Sequence, residues 1–212
     1  MRKTCLYIVF VAMSLLHSML PAQNLPPQRD ALVLYNNGQY AEAIAVCEEE
    51  LHTDPTRVDA YVVMCWALIG NRQYVEAEQR AQDGLQVHPY DLRLVESLAE
   101  AYYYLGRNTA AMEQFERYVS NVPENNGRVS TAYYFMSELY IRQGRYQHAD
   151  ISLSMAVRKR PTADTWWVRL GYVRERAGNY TEALEAYDEA VRLNPLLNDA
   201  IVGQRRVSSR LQ

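Results

Sequence analysis

Five prolines, Pro55, Pro89, Pro123, Pro161 and Pro195, stand 34, 34, 38 and 34 residues apart. One short phrase precedes them again and again. Gly38-Gln39-Tyr40-Ala41-Glu42-Ala43 returns as Gln73-Tyr74-Val75-Glu76-Ala77, as Gly144-Arg145-Tyr146-Gln147-His148-Ala149 and as Gly178-Asn179-Tyr180-Thr181-Glu182-Ala183. A fixed period of this length means that no unit buries its apolar face alone, so the units must stack in series.

With each proline at position 32, the units span 24–57, 58–91, 92–125, 130–163 and 164–197. Residues 126–129 are left over as an enlarged loop at the turn-rich cluster around Pro123–Gly127, and 198–212 reads as a polar capping helix. Position 20 is alanine throughout: Ala43, Ala77, Ala111, Ala149 and Ala183. Position 8 is always small: Ala31, Cys65, Ala99, Ser137 and Gly171. Larger residues flank these at position 4 (Tyr61, Val95, Tyr133, Trp167), position 7 (Met64, Leu98, Met136, Leu170) and position 24 (Phe115, Leu153, Tyr187). Three-and-four spacing of this kind predicts two amphipathic helices per unit that cross at small residues. A glycine near position 15 marks the break between them.

The pattern resembles the tetratricopeptide repeat (TPR) family. Its best unit runs through Trp167, Leu170, Gly171, Gly178, Tyr180, Ala183, Tyr187, Ala190 and Pro195. The resemblance covers 24–197 and implies an all-α fold, a right-handed α-solenoid of antiparallel helix pairs. Some positions depart from it. Arg174 replaces an aromatic at position 11, Gly84 and Tyr118 replace alanine at position 27, and Pro27 and Asp30 make the first unit atypical, as an end cap would be.

The resemblance also implies a concave groove lined by positions 2, 5, 9, 12 and 13 of the first helices. Carried over, these are Leu32 and Tyr35; Val62, Trp66 and Ile69; Glu96, Glu100, Tyr103 and Tyr104; Tyr134, Glu138, Ile141 and Arg142; and Val168, Tyr172, Glu175 and Arg176. Trp66, Tyr103 and Tyr134 are the candidate hot spots, since groove aromatics often dominate binding. Tyr40, Tyr74, Tyr146 and Tyr180 at position 17 are expected to pack between helices. The Lys and Asn clamp that some family members use for a terminal carboxylate is replaced at positions 5 and 9 by Val62, Trp66, Glu96, Glu100, Tyr134 and Glu138. An extended peptide or a helix held by apolar and aromatic contact fits better.

The N-terminus differs in kind from the repeats. Arg2 and Lys3 precede an uncharged run from Cys5 to Leu16, and Ala22 closes the segment before Gln23. This reads as a secretory signal peptide over 1–22, and the expected location is the bacterial periplasm or outside the cell. Retention of the segment as an anchor is the alternative, and membrane contact is expected only in that case. Residues 23–129 hold 8 basic and 16 acidic residues, whereas 130–212 hold 12 and 9. With no basic stripe, nucleic acid is not an expected partner.

Cys47 and Cys65 fall on adjacent helices and fit either a disulfide or two buried thiols, the latter preferred at such small core positions. His52, His88 and His148 lie in three different units without metal-ligand spacing, and no phosphate loop or nucleophile elbow is present. No enzyme, cofactor or metal is expected. The sequence points to a scaffold for a protein or peptide. Its rivals are a self-assembling homo-oligomer and an accessory module for small molecules or glycans.

Overall fold

A computed structural model describes residues 30–123 and 125–212. The segment 1–22, read above as a signal peptide, lies outside the described residues, as does Pro27 of the first unit. Among the described residues the fold is all-α. The helices are α1 (Ala31–Asn36), α2 (Tyr40–Thr53), α3 (Val58–Gly70), α4 (Tyr74–Val87), α5 (Leu92–Tyr104), α6 (Asn108–Asn121), α7 (Val129–Arg142), α8 (Tyr146–Lys159), α9 (Asp164–Ala177), α10 (Tyr180–Leu193) and α11 (Asn198–Leu211). Each helix packs on its chain neighbour, and α1, α3 and α5 also pack on one another in series, as do α5 with α7 and α9 with α11. The odd-numbered helices therefore form one wall of an α-solenoid.

Small residues set the crossings. All five position-20 alanines are fully buried, and so are Cys65, Ala99 and Ser137 at position 8. At Gly171 a Cβ would stand 2.7 Å from the Tyr187 ring, so this crossing admits glycine alone. Cys47 and Cys65 are separate thiols in the core; burial pushes Cys47 up to about 12 and raises Cys65 as well, which keeps both protonated and unreactive.

Each unit makes the same turn. The position-16 N–H donates to the position-11 carbonyl at 2.8–2.9 Å in all five, from Gln39 to Leu34 through to Asn179 to Arg174. This closure needs a left-handed residue at position 15. Gly38, Gly106, Gly144 and Gly178 supply it with φ of 70–86°, but the second unit uses Arg72 at φ 62°. A side chain there costs about 1 kcal/mol. Arg72→Gly should therefore raise the melting temperature by about 2–4 °C in a thermal scan. An unchanged or lower value would mean that the arginine side chain offsets its own strain.

The prolines lack an N–H but offer a carbonyl. Tyr61 Oη donates to Pro55 O at 3.2 Å and Trp167 Nε1 to Pro161 O at 2.8 Å, which ties position 4 of one unit to the end of the unit before. At Pro123 the enlarged loop takes over, and its carbonyl accepts the Asn126 N–H at 3.0 Å. The sequence departures have packing roles. Arg174 at position 11 reaches back to Asp150 at 3.1 Å. Gly84 makes room for the Tyr61 ring. Tyr118, buried in place of an alanine, lies beneath the enlarged loop with its hydroxyl 3.4 Å from Asn126 Oδ1.

The capping helix is less polar on its inner side than its composition suggests. Ala200, Gly203 and Val207 are buried, and the Tyr187 ring lies against Gly203.

Candidate partner-binding site

The wall of odd-numbered helices carries most of the aromatic residues that packing leaves partly open. Trp66 on α3, Tyr103 on α5 and Tyr134 on α7 are half-buried, each with a ring face covered by the protein itself. The Arg128 guanidinium lies 5.1 Å from the Trp66 ring centre. Arg142 lies 3.9 Å over Tyr103, whose other contacts include Phe135 at 4.7 Å. Trp166 stacks on Tyr134 at 5.0 Å and 14°. Tyr35 extends the row, 5.8 Å from Trp66. Burial raises the Tyr35, Tyr103 and Tyr134 phenols, Tyr134 to about 12, so all stay neutral and act as hydrogen-bonding rings.

Several sequence-derived groove residues take other roles. Val62 and Glu96 are only 1% exposed and Glu100 8%, so they are not the open wall expected of them. Val62 packs with Leu94 and Leu98 in the α3–α5 core. Tyr104 stacks on Tyr74 at 4.6 Å and Arg176 lies 5.1 Å over Tyr146; both are position-13 residues seated on a position-17 tyrosine of the preceding unit. Arg142, also at position 13, donates to Asn108 Oδ1 at 2.8 Å. Ile69, Ile141 and Val168 are half-buried beside core clusters, and Leu32 is exposed on α1. Tyr172 lies 5.1 Å beneath the Arg169 guanidinium.

Four glutamates of the wall, Glu96, Glu100, Glu138 and Glu175, are answered by arginines from about one unit later. Arg169 forms a fork on Glu138 at 2.5 and 2.7 Å. Arg206 of the capping helix does the same to Glu175, at 2.6 Å for both bonds, and the pairing holds the Glu175 carboxyl below its usual range. Arg128 Nε donates to both oxygens of Glu96 at 2.8 and 2.5 Å, while its Nη2 reaches Glu100 Oε1 at 3.0 Å. Burial raises both carboxyls, and the Glu96 charge helps to lift Glu100 to about 7.

Arg128 belongs to the four residues that interrupt the repeat, which is why position-by-position reading passes over it. Local hydrogen bonds hold it in place. Asn126 Oδ1 accepts the Arg128 backbone N–H at 2.9 Å, and Ser130 Oγ donates to Gly127 O at 2.9 Å. Trp166 is missed for a similar reason: it occupies position 3, outside the implied groove set. Its signal in the sequence is the doubled Trp166-Trp167, of which only one can fill position 4.

Among the described residues no group of three or more His, Cys, Asp or Glu is placed to hold a metal ion, and no helix is long and apolar enough to cross a membrane. His88 Nε2 bonds the Thr56 carbonyl at 2.6 Å, and His148 lies against Tyr140.

Two tetratricopeptide repeat models match the chain, one over residues 65–126 and 134–197 and the other over 34–89. Among curated proteins, the human protein O-mannosyl-transferase TMTC1 is 22% identical over 84% of this chain. The matched stretch is only 20% of that protein's length. Among solved structures, YrrB, described as a TPR protein with an unusual peptide-binding site, superposes with a TM-score of 0.65 at 19% identity, over 82% of this chain and 88% of its own. MamA from Desulfovibrio magneticus RS-1 gives 0.67 at 17% identity, over 79% and 92%. At these identities the likeness extends to the fold.

Proposed function

Because the chain belongs to the tetratricopeptide repeat family, we propose that it is an exported, non-catalytic scaffold that holds a protein or peptide partner against the aromatic wall of its odd-numbered helices. One observation carries this reading. Trp66, Tyr103 and Tyr134 remain half-open along one face, although helix packing has buried the large residues at positions 7 and 24 of the same units. Large amphipathic rings in such a setting are the usual anchors of a bound segment. The peptide-binding site named for YrrB supports the class of ligand. Export to a bacterial envelope rests on the basic start, apolar run and Ala22 of the N-terminal segment.

Affinity capture with crosslinking from the native envelope tests both halves. The recovered protein should begin at Gln23 and bring a partner with it. Trp66→Ala with Tyr103→Ala should reduce capture by more than tenfold, at about 2 kcal/mol for a central anchor, with helicity by circular dichroism unchanged. Full capture by this variant would reject the aromatic wall as the site.

A further inference from the structure

We propose that Asn126 is a self-modifying site: the backbone nitrogen of Gly127 attacks its side chain and converts it to aspartate and isoaspartate with release of ammonia. Two asparagines of this chain precede a glycine, Asn37 before Gly38 and Asn126 before Gly127. Such pairs react readily because glycine has no Cβ to crowd the approach of its own nitrogen. All four residues are exposed, so neither residue type nor accessibility separates the two pairs. Hydrogen bonding does. The Gly38 N–H donates to Tyr35 O at 2.9 Å, inside the turn that Gln39 closes on Leu34, and it must leave that bond before its nitrogen can attack. Among the described residues no acceptor meets the Gly127 N–H. Its nitrogen is the free nucleophile of the two.

The amide oxygen of Asn126 is also prepared for the reaction. Negative charge develops on Oδ1 as the Gly127 nitrogen bonds Cγ. Two donors already point at this oxygen, the Arg128 backbone N–H at 2.9 Å and Tyr118 Oη at 3.4 Å. Donors fixed where charge will develop lower the barrier. Asn37 Oδ1 accepts no hydrogen bond among the described residues. In the step itself the N–Cγ bond forms, the Gly127 nitrogen gives up its proton, and the Cγ–Nδ2 bond breaks as ammonia leaves, which closes a cyclic imide. Water then opens the imide. Attack at Cγ gives aspartate, and attack at the backbone carbonyl carbon gives isoaspartate, with the chain rerouted through the side chain. The isoaspartate form lengthens the backbone by a methylene just before Arg128, the residue that bonds Glu96 and Glu100.

The test incubates the full chain at pH 8 and digests samples with trypsin at intervals. Cleavage after Arg29, Arg57, Arg117 and Arg128 places Asn37 and Asn126 in separate peptides, 30–57 and 118–128, and fragment masses locate the modified residue in each. Asn126 should react about fivefold faster than Asn37, the factor imposed by one additional hydrogen bond to break. In guanidinium chloride the two rates should converge, because the dipeptide alone then sets them. Gly127→Ala should slow Asn126 severalfold in the folded chain and leave Asn37 unchanged. A Cβ at Gly127 meets no atom within 4 Å, so this variant keeps the loop. Equal rates in the folded chain, a faster Asn37, an Asn126 that reacts only after unfolding, or an unchanged rate in Gly127→Ala would overturn the proposal.

Discussion

Arg128→Ala should lower the unfolding free energy by about 3–5 kcal/mol at pH 8, because it strands two carboxylates in the protein interior. Glu96 and Glu100 are nearly sealed from solvent, and the Arg128 guanidinium is the cation that bonds them. The loss should shrink steeply on acidification. Without the guanidinium both carboxyls titrate higher still, and a buried acid with a raised folded pKa penalises the fold only above the pKa of the unfolded chain. The cost thus develops upward from about pH 4.5 and is nearly absent at pH 5 and below. Urea melts at pH 5 and pH 8 read this directly. Adding Glu96→Gln and Glu100→Gln to Arg128→Ala should restore most of the loss at pH 8. A variant equally destabilised at both pH values would point to lost packing of the loop on Trp66 instead of stranded charge.

Glu100→Gln alone should act in the opposite direction and stabilise the protein at pH 8. Burial, aided by Glu96, raises Glu100 from 4.5 to about 7. The sign follows from proton binding. Between pH 4.5 and 7 the folded state holds the proton more tightly than the unfolded chain, so stability falls as pH rises through this window and is level above it. The shift corresponds to about 3 kcal/mol at most. Since glutamine also gives up the 3.0 Å bond to Arg128 in its charged form, the net gain should be about 2 kcal/mol, or about 4–8 °C in melting temperature. At pH 5 the gain should nearly vanish. A destabilised Glu100→Gln protein at pH 8 would show that the Arg128 bond outweighs burial.

The repeat architecture was legible because it is written in local terms. Alanine at position 20, small residues at position 8 and the turn near position 15 recur at fixed offsets, and each is answered in the structure by a buried crossing or a left-handed turn. The turn at Arg72 shows the limit of reading by residue type: the hydrogen-bond closure persisted without the glycine that usually permits it. The candidate site was less legible. Trp66, Tyr103 and Tyr134 do line one wall, but Val62, Glu96 and Glu100 sink into it. Their fate turns on partners 28–32 residues away, Leu94 for Val62 and Arg128 for the two glutamates. No periodic rule yields Arg128, since it lies in the segment that breaks the period.

By itself the sequence determined that helices would pair, cross at small residues and stack in series, because those outcomes depend on contacts within a unit or between like positions of adjacent units. Only the tertiary structure decided the charge of the wall. Stacking brings arginines from one unit onto carboxylates of the unit before, and an inserted loop swings one more into the middle. The energy of a charge depends on its burial and on which opposite charge comes within a few ångströms. Both are fixed by how the units are set against each other, and neither is carried by the identity of the residue at its position.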